Sequence, residues 1–263
     1  MSEPGLAVTW WGHASTTVDF AIGGGVRVAL DPLFVDRLAH LRRAAPTPPP
    51  AAAEADLVLV SHLHLDHCHG PSLARFDAGV PVIVPRGGEA FVAGSGLSVV
   101  PLAPGESVRV AGVEVEALPA LHDGRRTPLS RSRPPALGFR LTAGGRSVWY
   151  PGDTGPQPAF AEVAPVDLAL PPVGGWGPSL GPGHLDPQQA AAAVAAVGAR
   201  WALPVHWGTF WPVGLRRLHP ASHRELFLAP GERFVAAVAQ GRDQLAAPTR
   251  VLRAAHGERV VLA

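Results

Sequence analysis

The sequence has a single cysteine, Cys68, so no internal disulfide can staple the chain, which suits a reducing compartment. Charge of one sign is also missing. The balance of 22 Lys and Arg against 21 Asp and Glu leaves a net +1, too weak a field for bulk attraction to nucleic acid or anionic lipid. No apolar run approaches the roughly 20 residues that a membrane span needs. The alanine tract 190–196 comes nearest and is too short and too weakly lipophilic. The N-terminus, MSEPGLAVTWWGHAS, lacks the basic and long apolar regions of a signal peptide. These absences together lead us to expect a soluble, cytoplasmic protein.

What is abundant is turn-forming residues and core material. The 30 glycines and 29 prolines favour many tight turns. An apolar content of 47% with 16% charged residues fills a sizeable core. The 263 residues suit one large domain or two small ones. β-rich runs stand at 6–11, 15–20 and 26–30, with Gly23, Gly24 and Gly25 as a hairpin signal between the last two. Residues 33–55, with prolines at 46 and 48–50, connect two strands of one sheet and read as a surface excursion rather than a domain linker. Further strands are expected at PVIVP (81–85), LSVVPL, ESVRV and VEVEALP (113–119). More follow in the hairpin 137–153 turned at Gly144 and Gly145, and at DLALPP (167–172), WALPVH (201–206), RVLRA and ERVVLA. GGEAFVAG reads as a helical turn. Asp186 followed by Pro187 opens a helix reaching Gly198, and a second helix is expected over 231–240. Hairpins alternating with scattered helices imply two sheets with helices packed outside them, in a single domain spanning 1–263.

The chemistry is concentrated in SHLHLDHCHG (61–70), which packs four histidines and an aspartate into ten residues directly after the apolar strand DLVLV (56–60). Imidazole nitrogens and a carboxylate are the ligands that borderline divalent metals prefer. The spacing lets His62 and His64 converge on one ion while Asp66 and His67 reach a second. A solvated face would use Lys and Glu, and a packed core would not hold four imidazoles together. Cys68 reads as a small packed side chain rather than a ligand. A dinuclear site needs more ligands, and three candidates also stand where strands end: His122, Asp153 in YPGDTG, and His206 in HWGT. Asp153 has two oxygens with which to bridge two ions.

HLHLDH, the later His122, GDT at 152–154 and His206 resemble the metallo-β-lactamase fold superfamily. WWGHAS, LDP (30–32), PPVGGW (171–176), HLDPQQA (184–190) and PVHWGTF (204–210) follow the order of one branch. That branch is similar to N-acylphosphatidylethanolamine-hydrolysing phospholipase D and L-ascorbate-6-phosphate lactonase. The resemblance runs from about Val8 to about Leu262. It implies an α+β fold, an αββα four-layer sandwich with the metals at one edge of the two sheets. It also implies that His62, His64 and His122 hold one ion, that Asp66, His67 and His206 hold the other, and that Asp153 bridges them. The di-iron flavoprotein branch carries Glu where this chain has His64 and adds a flavin domain. Two Zn2+ ions are therefore favoured, with Mn2+ or Fe2+ as alternatives.

Two such ions lower the pKa of a bridging water and stabilise the oxyanion that follows. The expected function is metal-dependent hydrolysis of an ester, lactone or phosphodiester, with Asp66 orienting the hydroxide and His184 contacting substrate or moving a proton. The alternatives are a nuclease of the same fold and a non-catalytic metal-binding protein. Arg125, Arg126, Arg131 and Arg133 follow His122 and are candidates for a substrate phosphate, with a solvated basic loop as the alternative. Trp176, Trp207, Phe210 and Trp211 are candidates for lining an apolar pocket. His13 reads as structural, in a hairpin away from the ligand loops. His69 reads as a supporting or solvent-facing imidazole, and His40, His219, His223 and His256 read as surface residues. The expected partner is a small-molecule substrate, phosphate-bearing if the arginine loop binds it. No nucleic acid and no membrane span are expected, and a homo-oligomer is left open.

Overall fold

The hairpin glycines turn where the sequence puts them. In a computed structural model of the protein, which describes residues 5–163, 165–241 and 248–262, Gly23, Gly24 and Gly25 all take positive φ, a region that costs a residue without a Cβ little. Ser15–Phe20 and Val26–Leu30 then pair antiparallel from Thr16↔Leu30 to Phe20↔Val26. Leu57–Leu59 joins Val26–Leu30 in parallel, and its three residues are all buried, as a strand covered on both faces must be.

Two seven-stranded sheets result. The first runs Arg259–Leu262, Leu6–Gly12, Ser15–Phe20, Val26–Leu30, Leu57–Leu59, Pro81–Pro85 and Ser98–Leu102 from edge to edge. The second runs Arg250–Val251, Trp201–Ala202, Leu168–Ala169, Arg146–Tyr150, Leu137–Ala143, Val113–Pro119 and Ser107–Val110. Alternate residues of both meet in the central core. Val18, Phe20, Val28, Leu30, Leu57 and Leu59 come from the first sheet, and Val115, Phe139, Leu141, Val148 and Tyr150 from the second. The intervening residues Ala29, Val58, Val82 and Val84 face outward onto Leu73, Phe76 and Val92. On the far side, Trp149 and Ala169 pack against Ala190, Val194, Phe234 and Val238 of the helices Pro187–Ala196 and Pro230–Gly241. This is the αββα layering that the resemblance implied.

Asp186 caps the first of those helices as expected. Its carboxylate accepts from the Gln189 backbone N–H at 2.8 Å while the Gln189 side chain accepts from Asp186 N–H at 3.0 Å. Several strands are shorter than their sequence runs. DLALPP yields only Leu168–Ala169, and WALPVH only Trp201–Ala202 plus a single bridge from Val205 to Pro172. Prolines 171, 172 and 204 have no N–H to continue a ladder. GGEAFVAG forms two short 3-10 turns, Glu89–Phe91 and Ala93–Ser95. ERVVLA is a strand over Arg259–Leu262, and its last residue lies outside the described residues.

The excursion 33–55 is more than a surface loop. Its strands Arg37–Leu38 and Leu41–Arg43 form a third small sheet with Phe210–Pro212, which follows His206. Buried Arg43 ties it down. Its Nη2, Nε and Nη1 donate to Leu33 O, Val35 O and Trp11 O at 2.6, 2.9 and 3.1 Å, and its guanidinium lies 4.8 Å over the Phe210 ring. Burial pushes its pKa down to about 10, which still leaves it charged at neutral pH. Replacing Arg43 with Met strands three carbonyls, so the urea midpoint should fall by the equivalent of about 2–4 kcal/mol. An unchanged midpoint would contradict this role.

Candidate metal centre

Strands exit into one edge of the sandwich, and the ligand candidates follow them. Asp31 ends Val26–Leu30, Ser61 and His62 follow Leu57–Leu59, His122 follows Val113–Pro119, and Asp153 follows Arg146–Tyr150. Among the described residues five non-glycine side chains sit at positive φ, and three of them, His13, Asp31 and His206, are at this edge. Such backbone costs energy and persists where the surroundings over-determine it.

Two groups of side chains converge. In the first, His62 Nε2 lies 2.9 Å and His122 Nε2 3.1 Å from His64 Nδ1. In the second, His67 Nε2 and His206 Nε2 are 3.1 Å apart, with Asp66 Oδ2 at 3.8 and 3.9 Å from them. Asp153 Oδ2 is 3.2 Å from both His67 and His206 and 3.5 Å from His184 Nε2, and Asp153 also groups with His122. It is the carboxylate that contacts the second group and also comes within 4.8 Å of His122 in the first. All seven ligand candidates named from the sequence therefore come together.

The outward nitrogens fix the tautomers. His67 Nδ1 donates to Asp31 Oδ2 at 2.6 Å, His122 Nδ1 to Gly183 O at 2.8 Å, and His206 Nδ1 to Gly174 O at 3.0 Å. The Ser61 hydroxyl donates its one proton to Asp31, so His62 Nδ1 donates to Ser61 Oγ at 2.9 Å. In neutral imidazoles the inward Nε2 atoms are then lone-pair acceptors. His64 Nδ1 can donate to only one of its two neighbours. With both rings neutral, the His67 and His206 lone pairs would face each other at 3.1 Å. Acceptors at 3 Å repel unless positive charge lies among them, and the Asp153 Oδ1 atom is buried with no hydrogen-bond partner. The donor set fits divalent cations.

The electrostatics agree. Burial holds His62 well below the usual imidazole range and pushes His122 down to about 4, so both are neutral at pH 7, the form in which an imidazole can bind a metal. Burial opposes the charge of Asp153, but His206 and His67 hold its carboxyl well below the carboxylate range. Asp66 is likewise held down, against burial, by His67 and His13. Burial disfavours charge on His67, yet Asp153, Asp66 and Asp31 lift it well above the ordinary value. A pocket that draws a proton onto a buried imidazole draws a metal cation for the same reason.

A cavity of about 430 Å3 opens over this centre, lined by His64, Asp66, Asp153, His184 and His206 and walled by Leu38, Leu41, Leu65, Arg126, Trp176 and Leu180. His184 thus reaches both the cavity and Asp153. Trp176 lines the cavity and donates from Nε1 to Asp66 Oδ2 at 3.0 Å. Arg126 also lines it, with Nη1 donating to the carbonyls of Leu63 and Cys68 and so bracing the ligand loop. Arg125 folds back onto Asp123 and the Pro128 carbonyl and does not line the cavity. Arg131 and Arg133 are exposed.

Other expectations need correction. Trp207 stacks on Trp10 at 5.5 Å, donates to Pro204 O and fills the space beside Gly231, so it packs a helix against the sheet instead of lining the cavity. Phe210 packs with Leu33, Leu38 and Leu41, and Trp211 with His223 and Phe227. His223 is buried there, and half-buried His256 lies 4.2 Å from the Trp10 ring, so neither is a surface residue. His13 does not lie away from the ligand loops as expected: its Nε2 donates to Asp66 Oδ2 at 2.9 Å and its ring lies 4.0 Å from that of His206. Asp31 carries no ligand-like spacing in the sequence, although LDP sits at a strand exit, and its side chain nevertheless supports His67. Cys68 packs in the outer core as expected, and burial pushes its thiol up to about 11.

Residues 26–207, which include both groups, match the family model described as the β-lactamase superfamily domain. The chain belongs to the metallo-β-lactamase superfamily of hydrolases. It is 31% identical over 244 residues to N-acyl-phosphatidylethanolamine-hydrolyzing phospholipase D 1 of Caenorhabditis elegans, covering 81% of this chain and 66% of that protein. It is 28% identical over 211 residues to a protein named metal-dependent hydrolase in Thermoplasma acidophilum, covering 78% and 84%. In fold it is similar to Igni18, a metallo hydrolase of Ignicoccus hospitalis, with TM-score 0.71, 20% identity and 98% of each chain covered. The chain spans about two thirds of the length of the phospholipase. No helix among the described residues is long and apolar enough to cross a membrane.

Proposed function

We propose that this member of the superfamily is a dinuclear hydrolase, with the chain acting as one domain, and that its substrate is a small ester, lactone or phosphodiester. In this reading His62, His64 and His122 hold one ion, Asp66, His67 and His206 hold the other, and Asp153 bridges them. The observation that carries the reading is Asp153, whose carboxylate contacts His67 and His206 and comes within 4.8 Å of His122 in the other group, while one buried oxygen lacks any partner. Zinc is the favoured ion, because the donors are mainly imidazole nitrogen with two carboxylates. When bound, two such cations supply Lewis acidity toward a water and toward the oxyanion of the substrate.

The chain's own residues do the rest. Asp66 and Asp153 provide negative charge that holds an attacking water's proton. His184 Nε2, 3.5 Å from Asp153 and on the cavity wall, passes a proton to the leaving oxygen. Leu38, Leu41, Leu65, Leu180 and Trp176 take an apolar portion of the substrate and exclude water. Arg126 offers its remaining guanidinium N–H groups to an anionic group there. A pocket of this kind, rather than a long basic groove, favours a small substrate over nucleic acid.

Metal analysis of the purified protein combined with a panel of esters, lactones, thioesters, phosphodiesters and RNA tests the proposal. The expected result is two equivalents of metal and hydrolysis of a small substrate that a chelator removes and Zn2+ restores. Turnover in fully metal-free protein would sink the mechanism. A two-metal protein inert on the whole panel would be a non-catalytic metal binder, and activity confined to RNA would make it a nuclease.

A further inference from the structure

We infer that His13 is a positioning residue for Asp66, fixing the carboxylate that completes the second half-site; the inference rests on the dinuclear reading above. His13 lies outside the span matched by the family model and 53 residues before Asp66 in the chain. The fold nevertheless buries it at the centre of the site. Its Nε2 donates to Asp66 Oδ2 at 2.9 Å, and the same oxygen accepts from Trp176 Nε1 at 3.0 Å. Two donors on one oxygen restrict the rotation of a carboxylate that would otherwise swing about its χ2 bond. The ionised carboxylate only accepts, so His13 must carry its proton on Nε2.

The backbone shows the same purpose. The tight turn between Leu6–Gly12 and Ser15–Phe20 places His13 at φ +53°, where a residue with a Cβ is strained. Three contacts hold it there. His13 N–H donates to Thr209 Oγ1 at 2.6 Å, while its carbonyl accepts from Trp10 Nε1 and from His206 N–H, both at 2.8 Å. The residue therefore ties Asp66 and His206, two members of one half-site, to a single rigid turn. Its ring stands 4.0 Å from the His206 ring and edge-on to Phe210 at 5.7 Å, which leaves its Nε2 one direction to point. His13 does not touch the first group, His62, His64 and His122, so its influence should be confined to one ion.

The test is competitive chelator titration of the metal-loaded protein, together with the visible spectrum of the Co2+-substituted form. In His13→Phe the ring shape stays and the donor goes. The second equivalent should bind about 10–100-fold more weakly and the first should be unaffected. In His13→Gln the amide Nε2 can donate from nearly the same place. Its second-equivalent affinity should stay within about fivefold of wild type. The Gln variant decides alone if the Phe variant does not fold, and a loss larger than fivefold overturns the inference. So do unchanged affinities in His13→Phe, or equal losses at both half-sites. An altered ligand-field spectrum in fully loaded His13→Gln would mean that His13 ligates the ion itself, and would also overturn it. A wild-type protein that binds fewer than two equivalents overturns the dinuclear reading and this inference with it. A two-metal wild type with an indifferent His13→Phe variant overturns this inference alone.

Discussion

Asp153→Ala should lose the second equivalent of metal and lower turnover at least about 1,000-fold, equivalent to about 4 kcal/mol of transition-state stabilisation. The size follows from position. Asp153 is the carboxylate that meets His67, His206 and His184 at 3.2–3.5 Å and groups with His122 as well. Without it, buried imidazoles face one another with no charge between the two halves of the site. His184 also loses the partner that, against burial, lifts its pKa. The fold should survive, because Gly152 and Thr154, which shape the turn, are retained. Metal content by mass spectrometry and turnover under saturating zinc are the two measurements. Full metal content with normal rates would remove Asp153 from the proposed site.

The second large effect belongs to Asp31, which touches no substrate. Asp31 is fully buried and takes four hydrogen bonds: Ser61 N–H at 2.7 Å on one oxygen, and Ser61 Oγ, Tyr150 OH and His67 Nδ1 on the other. Asparagine keeps the shape and tolerates the φ of +40°. Its amide must nevertheless turn a donor toward one of those donors. Asp31→Asn should therefore cost about 3–5 kcal/mol of stability, read from the thermal or urea transition. It should also weaken the His67 half-site about 10–100-fold, because a neutral amide holds and polarises the His67 imidazole less strongly than the carboxylate does. A variant as stable as wild type with intact metal affinity would show that this network is dispensable.

The sequence exposed the candidate ligands because their chemistry is local. A run of imidazoles and a carboxylate at a strand exit has few other uses, and each strand that feeds the site announces itself by a short apolar run. The capped helix at Asp186 was legible for the same reason, since the capping box is written within four residues. Strand length was less legible, because prolines in DLALPP and WALPVH end ladders that apolar composition alone would extend. The small sheet of Leu41–Arg43 with Phe210–Pro212 joins segments about 170 residues apart, and no local pattern announces such a pair.

The sequence alone determined the superfamily, the layered fold and the seven candidate ligands. Tertiary structure decided which neighbours serve them. Trp207 follows His206 directly, yet the left-handed turns at His206 and Gly208 send its indole into the core while Trp176, far upstream, reaches Asp66. His13 is remote from Asp66 in sequence, and the folded N-terminal hairpin brings the two together. Ligand identity depends on side-chain type and spacing, which the chain carries locally. Hydrogen-bonded support depends on which distant backbones close together, and only long-range packing sets that.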